Sequence, residues 1–442
     1  MLTREENELV TNTDPGAPMG EYFRRFWLPV ALSEEIPGPD CDPVRQTILG
    51  EKLVLFRDSS GRPGLMDAYC PHRGAPMFFG RNEGDGLRCV YHGWKFDVDG
   101  NCTELPNAPE GETFKAKVKI SSYPCVDRGD LIWAYMGPTD KQPPFPQFEW
   151  LDMPKSHRYI SKFRLECNYL QAMEGDYDPS HVMFLHATLD DNQSSPTVRL
   201  QGNVDQARFT KTPTLETQGK FFHSQTDSGL FFHSIRPLPD GRKVANAAPW
   251  MMPIFTTPGA SGPGFYGSNM RIPIENTSLM FYRLRWSYEP IPDAERWQYS
   301  HGEWYYPKLI PGTWKTADNV FNDYNIDRVA QRNYSITGIK TFPLQDIAMM
   351  EDQWGPIATR TKEHLASSDV QIIGVRRRLL KGVHNLMEGI EPQEPWHPEA
   401  YRYHTATVIV SADTDDEEAL RLAKARVTER NIPSLPLVLA RA

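Results

Sequence analysis

Two short runs decide how this chain is read: Cys70-Pro-His72-Arg-Gly74 and Cys89-Val-Tyr-His92-Gly-Trp94. The first holds a Cys-x-His pair, the second a Cys-x-x-His pair, and residues 73–88 separate them. Each lies between stretches that read as strands, so two loop tips are expected to converge on one metal site. Two thiolates and two imidazoles suit tetrahedral zinc, and they suit a [2Fe–2S] cluster with histidine on one iron. Small zinc sites usually space their ligands as Cys-x-x-Cys and His-x3–5-His, whereas each loop here supplies one of each kind.

Short strands with turn signals surround these loops. Lys52–Arg57 and Gly64–Ala68 flank Asp58-Ser-Ser-Gly61 as a hairpin. Leu87–Tyr91, Trp94–Asp97 and Leu131–Met136 add further strands. Such density predicts a small all-β domain over 41–140, preceded by a helical segment over 1–40 and followed by a larger body over 141–442. Thr3 and Glu6 have capping-box spacing for a helix at the very start. Lys141-Gln-Pro-Pro-Phe-Pro146 reads as a linker.

Composition bounds the rest. A chain of 442 residues is too long for one small module. Its net charge of −9 argues against a basic nucleic-acid footprint. No apolar run of about 18 residues is present for a membrane span, and the charged N-terminus shows no secretory signal; a cytoplasmic protein is expected. Six cysteines are too few for a disulfide scaffold. The 38 prolines exceed the average of about 5% and lie scattered among aromatics, which indicates many loops on a folded frame.

The second half reads as α+β. Helical character is expected over 164–187, broken at Pro179, and over 344–387, where Ile372, Val375, Leu379, Val383 and Leu386 form an apolar stripe. Strands are expected at 220–224, 230–234, 279–287 and 405–410, with a final helix at about 414–430 capped by Thr414 and Glu417. Within this half, Asp178-Pro-Ser-His181-Val-Met-Phe-Leu-His186 places two histidines five residues apart. That is not a same-face helical pair, because helical neighbours lie three or four apart. Both rings reach one metal only if the helix is broken or bulged between them. Pro179 disfavours helical backbone at Asp178, and a second helix is expected with Asp178 as N-cap.

Taken together, the two cysteine–histidine loops resemble those of a Rieske iron–sulfur domain, and Asp-x2-His-x4-His resembles the ligand run of the Rieske non-haem iron aromatic-ring oxygenases. The opening residues and the 86–100 stretch are similar to the phthalate dioxygenase group, with its phenoxybenzoate dioxygenases and biaryl O-demethylases. The resemblance implies an all-β Rieske domain followed by a helix-grip (START-like) catalytic domain with an antiparallel sheet. It implies Cys70 and Cys89 on one iron of a [2Fe–2S] cluster and His72 and His92 on the other. It implies His181 and His186 as ligands of mononuclear Fe(II), with Asp178 as a carboxylate bridging to the neighbouring subunit's cluster. Gln345-Asp346-Ile-Ala-Met-Met-Glu351-Asp352 resembles the stretch that supplies the third ligand; Asp346 is the choice, with Glu351 and Asp352 as competitors. It further implies an oxygenase component fed by an NAD(P)H-dependent reductase, acting with O2 on an aromatic compound in aromatic catabolism and assembled as a trimer or stacked trimers. A zinc-stabilised interaction module and a pure Rieske electron carrier are the rival readings.

The substrate is less legible. Arg208, Arg271, Arg283 and Arg285 are the cationic candidates for a carboxylate partner, although strand arginines are usually solvent-facing or paired. Trp250, Phe255, Phe265, Tyr266 and Trp304 suit a planar ligand or a core equally, and Met173, Asp176 and Val182 adjoin the expected ligands.

Overall fold

The computed structural model describes residues 1–109, 113–186, 189, 219–238, 240–257, 266–301 and 305–428. Arg208, Phe265 and Trp304 lie outside them. The chain divides into two compact units, Asn12–Phe145 with Ile272–Glu275, and Met1–Thr11 with Pro146–Arg271 and Asn276–Ala442. The first 40 residues are therefore shared between the two units.

The unit centred on 12–145 contains helix α2 (Pro18–Phe23), several 3-10 turns and three sheets of short antiparallel strands. β1 (Trp27–Leu32), β11 (Leu131–Tyr135) and β10 (Cys125–Arg128) form one sheet. β2 (Val44–Ile48), β3 (Glu51–Arg57), β4 (Pro63–Asp67) and β9 (Ser122–Tyr123) form a second. The third is β5 (Arg81–Asn82), β6 (Leu87–Arg88), β7 (Lys95–Phe96) and β8 (Cys102–Glu104). The expected hairpin is β3–β4, with Leu55 opposite Leu65. Its turn is closed by buried Asp58, which accepts from the Arg62 backbone and guanidinium at 2.8 Å each. The strands expected at 87–91 and 94–97 are shorter than expected, because Cys89 and Trp94 leave the ladder to close a loop. Val54, Phe56, Met66, Met77, Leu87 and Phe96 make one core with both loop cysteines and Trp94.

The larger unit is organised on an antiparallel sheet in the order β12 (Arg158–Leu165), β18 (Ser278–Trp286), β17 (Tyr266–Glu275), β16 (Phe255–Thr256), β15 (Lys243–Met251), β14 (Gly229–Pro237), β13 (Lys220–Gln225), with β19 (Ala406–Val410) also paired to β15. Its helices are α1 (Arg4–Thr11), α3 (Tyr169–Tyr177), α4 (Val182–Leu185), α5 (Asp293–Ser300), α6 (Arg328–Asn333), α7 (Phe342–Met350), α8 (Val370–Met387) and α9 (Asp416–Ala425). The capping box of α1 forms as expected: Thr3 N donates to Glu6 Oε2 and Glu6 N to Thr3 Oγ1. None of the described helices is long and apolar enough to cross a membrane.

Three expectations need correction. Arg164 and Leu165, the start of the helix expected over 164–187, are instead the end of strand β12, completing its ladder with β18. The helix expected over 344–387 is two, α7 and α8. Trp354 and Gly355 take positive φ (60° and 107°) ahead of Pro356, a combination that no helix accommodates. The cap of α9 is Asp415, accepting from Glu418 N at 2.8 Å, while Thr414 Oγ1 is engaged with Ser411. The apolar stripe of α8 is present, with Val375, Leu379 and Val383 fully buried.

Candidate metal centres

The two cysteine–histidine loops share one backbone plan. Cys70 N donates to Ala75 O at 2.8 Å and Gly74 N to Cys70 O at 2.9 Å. Cys89 N donates to Trp94 O at 2.8 Å and Gly93 N to Cys89 O at 2.9 Å. Both loops thus close five residues after the cysteine, with the fifth residue of each motif, a glycine, at φ 71° and 78°. At Gly93 a Cβ would also meet Pro106 Cγ at 2.6 Å, so glycine is required twice over.

The loops bring all four side chains together. Both thiols are buried, while His72 and His92 are half-buried with ring centroids 4.5 Å apart. The Trp94 indole stacks on His72 at 4.4 Å and 7°, which fixes that imidazole's plane. Burial, with Cys89 close beside it, pushes the Cys70 thiol up to about 11. A buried thiol such as Cys70 resists becoming a thiolate unless a cation compensates it. Burial, then His72 and Arg73, also pulls the His92 imidazole down, which keeps it in the neutral, ligating form. The donor set therefore fits a metal cluster.

The second constellation depends on helix ends. Asn168 caps α3 by accepting from Leu170 N. The helix stops at Tyr177 because Pro179 excludes helical backbone from Asp178, found at φ −99° and ψ 87°. Asp178 is not the N-cap of the next helix. It forms an Asx turn with Ser180 N at 2.9 Å, and α4 begins after His181. His181 and His186 thus bracket a single helical turn, and their rings lie 5.5 Å apart at 71°.

Asp346 comes from the middle of α7, whose start is fixed by Thr341 accepting from Leu344 N. Its Oδ1 lies 3.1 Å from His186 Nε2 and 3.5 Å from His181 Nε2. One ligand atom from each of the three residues falls within 4.8 Å of the others. Burial pushes the Asp346 carboxyl up, but the neighbouring His186 and His181 imidazoles overcome it and hold the group well below the carboxylate range. Burial alone would pull His181 down; Asp346 and Asp178 reverse this and raise it. Two imidazoles and one carboxylate on one side of a site are the donor set of a facial triad. The competitors are elsewhere engaged: Glu351 accepts from Glu166 N and Tyr324 Oη, and Asp352 is exposed. Asp178 Oδ2 lies 3.7 Å from His181 Nδ1, near enough for charge but too far for a hydrogen bond.

Sequence reasoning missed Gln345. Its Oε1 lies 2.7 Å from His186 Nδ1 while its Nε2 donates to Ile339 O, which fixes the amide orientation. Nδ1 therefore carries the proton, and Nε2 presents its lone pair toward Asp346 and His181. A lone amide in the otherwise apolar run Phe342-Pro-Leu-Gln-Asp-Ile-Ala-Met-Met350 was the available signal.

Several expected pocket residues have other partners. Arg271 is buried rather than solvent-facing: it meets Asp176 at 2.5 Å, and Asp176 also accepts from Thr256 and Asn269. Trp250, Phe255 and Tyr266 are core side chains, Tyr266 stacking on Trp286 at 4.4 Å.

The fold and both sites define an iron–sulfur β domain joined to an oxygenase-type catalytic domain. Residues 26–124 match the Rieske [2Fe-2S] domain family, and 134–426 match the family described as LigXa C-terminal domain like. The phthalate 4,5-dioxygenase oxygenase subunit of Pseudomonas putida is 36% identical over 388 residues, 86% of each chain. The 5,5'-dehydrodivanillate O-demethylase oxygenase subunit of Sphingobium sp. is 34% identical over 404 residues, 89% of this chain and 83% of that one. Crystalline dicamba monooxygenase shares the fold, with a TM-score of 0.57 at 18% identity over 84% of this chain and 99% of its own. The chain belongs to the Rieske non-haem iron aromatic-ring oxygenases, in the group of the phthalate and phenoxybenzoate dioxygenases and biaryl O-demethylases. It is a terminal oxygenase component, and its cofactors are a Rieske [2Fe–2S] cluster and a mononuclear iron. The zinc-module and electron-carrier readings fall with that assignment.

Proposed function

We propose that the chain inserts oxygen into an aryl-carboxylate or biaryl compound, by hydroxylation or O-demethylation, with Cys70, Cys89, His72 and His92 holding the cluster and His181, His186 and Asp346 holding the iron. The observation that carries this reading is the convergence of His181, His186 and Asp346 within 4.8 Å. Iron bound there supplies O2 activation, and the cluster supplies electrons one at a time.

The protein's own contribution is orientation. Gln345 holds the His186 tautomer, and Phe342 stacks on the same imidazole at 3.9 Å, so the ring cannot turn away. Asp178 places negative charge beside His181 Nδ1, and in an assembly it serves as the bridging carboxylate to a neighbouring subunit's cluster. Head-to-tail closure into a trimer, or stacked trimers, accounts for the exposed Tyr69, Val90 and Tyr91 beside the cluster loops. A separate NAD(P)H-dependent reductase in the cytoplasm completes the system.

The test uses holoenzyme, reductase and NADH with phthalate, 3-phenoxybenzoate and a methoxylated biaryl. A cis-diol marks dihydroxylation and formaldehyde marks demethylation. Asp346→Asn is expected to lower turnover at least roughly 1,000-fold while the cluster's electron-resonance signal persists. Cys89→Ser is expected to abolish that signal. An Asp346→Asn enzyme with near-normal turnover would exclude the iron assignment.

A further inference from the structure

The sheet face beneath α3 carries a group of arginines. Asp176 of α3 reaches Arg271 and Asn269 of β17 and Thr256 of β16, so α3 packs on that face. The Arg271 guanidinium lies over the Phe281 ring at 4.4 Å, and a Cβ on Gly267 would meet Arg285 Nη1 at 2.9 Å. Odd-numbered residues of β18 therefore share the face: Phe281, Arg283 and Arg285. Ser161 of β12 stands opposite Arg283 in the ladder.

Arg271 and Arg283 differ in one decisive respect. Arg271 is neutralised by Asp176. Among the described residues, the Arg283 guanidinium donates from Nη1 to the Tyr305 carbonyl at 2.6 Å and has no carboxylate within salt-bridge distance. Its side chain is half-buried, and the burial it has, followed by the Arg285 charge, pulls it down to about 10, still cationic at neutral pH. Asp346 lies near enough for its charge to act on Arg283. Asp176 acts on it likewise, but the close partners of these carboxylates are other groups: His181 and His186 for Asp346, and Arg271 for Asp176. A half-buried guanidinium with no carboxylate paired to it has donors to spare, and its planar fork matches a carboxylate.

We propose that Arg283 is the specificity-determining residue that receives the carboxylate of an aromatic acid substrate, with the ring directed toward the His181–His186–Asp346 centre. The proposal rests on the oxygenase reading above and narrows it to aryl carboxylates.

The experiment measures dissociation constants calorimetrically on the oxidised holoenzyme without reductase. The probes are phthalate and 3-chlorobenzoate, each against its uncharged carboxamide. The wild type is expected to bind at least one acid roughly 10- to 100-fold tighter than its amide, the range of a charge-assisted hydrogen bond. Arg283→Met should bring that ratio close to one and leave the amide constant within about threefold. Arg283→Lys should restore part of the ratio; if Arg283→Met does not fold, a ratio reduced but above one in Arg283→Lys carries the same conclusion. Equal binding of acid and amide by the wild type, absence of acid binding, or an unchanged ratio in the variants overturns the proposal. Turnover of a neutral aromatic by an enzyme with no acid preference would sink Arg283 and leave the oxygenase reading intact. A normal acid preference without turnover of any aromatic would do the reverse.

Discussion

The two candidate metal centres of this chain are built in opposite ways. The proposed cluster loops are short and local: four candidate donors lie within residues 70–92, and each loop is closed by two backbone hydrogen bonds around a positive-φ glycine. The proposed iron site spans residues 181–346, and its candidate donors sit at the ends and middle of helices buried by tertiary contacts. The α3 helix shows how. It is buried nearly all round, yet carries Gln171, Glu174 and Asp176. Each polar group is answered from a distant element: Gln171 by Met350 O and Ala358 N, Glu174 by Arg360 and Arg376, Asp176 by Arg271. Backbone geometry shapes the first site, and buried charge positions the second. The two should therefore fail to different perturbations.

The sharpest way to break the comparison is Glu174→Gln. The carboxylate lies 2.9 Å from Arg360 and 2.6 Å from Arg376; burial raises it, and the two guanidiniums overcome this and hold it ionised. Removing the charge leaves Arg360, fully buried, without a carboxylate partner, and a broken buried pair costs about 3–5 kcal/mol. Glu363→Gln removes only the outer partner of Arg376, at a more exposed position, and should cost visibly less. Thermal unfolding of the holoenzyme should show the loss in the catalytic unit, with the cluster's visible spectrum unchanged at temperatures below the transition. A variant that bleaches the cluster first would contradict the division drawn here.

That division also explains what the sequence could disclose. The cluster loops were legible because their ligands and glycines are neighbours in sequence, and the pairing of β3 with β4 was legible from its turn. His181 and His186 were legible by spacing, but the reason that both face one point was not: it lies in the Asx turn at Asp178 and the one-turn helix between them. Gln345, and the choice of Asp346 over Glu351, depend on which face of α7 meets α4. The pairing of Glu174 with Arg360 and Arg376 spans 186 and 202 residues, beyond any local pattern. Arg271 looked like a surface strand residue because its partner sits on a different element. Helix ends at 350 and 370 were misread because the breaking residue includes Trp354, whose positive φ no propensity anticipates.

A second difference concerns acid. His233 of β14 is buried, with Nε2 at 2.9 Å from Ser224 Oγ; burial, then Lys424, pulls its pKa down to about 4. The unfolded chain takes up this proton near 6.5, the native one only near 4. Between those values the unfolded state binds more protons, so stability is intact above about pH 6.5 and falls as pH drops toward 4. The gap corresponds to about 3 kcal/mol at most. Urea midpoints between pH 7 and 4.5 should fall for the wild type and fall less for His233→Gln. Equal slopes in the two proteins would remove His233 as the cause.

The smallest effect tests whether backbone geometry really governs the cluster loops. Gly74 and Gly93 occupy equivalent positions with nearly equal φ, but a Cβ at Gly74 meets nothing within 4 Å, whereas at Gly93 it meets Pro106 Cγ at 2.6 Å. Gly74→Ala should therefore cost only the left-handed backbone penalty, on the order of 1 kcal/mol. Gly93→Ala pays that and must also displace a proline ring, for a total of about 2–3 kcal/mol. The same variants should differ in cluster retention, read from the visible absorbance per chain after purification, with Gly93→Ala the poorer. His92 and Trp94 flank Gly93, so a shift there moves both the His92 imidazole and the indole that stacks on His72. Equal loss at both positions would mean that the strain lies in φ alone and that the Pro106 contact relaxes freely.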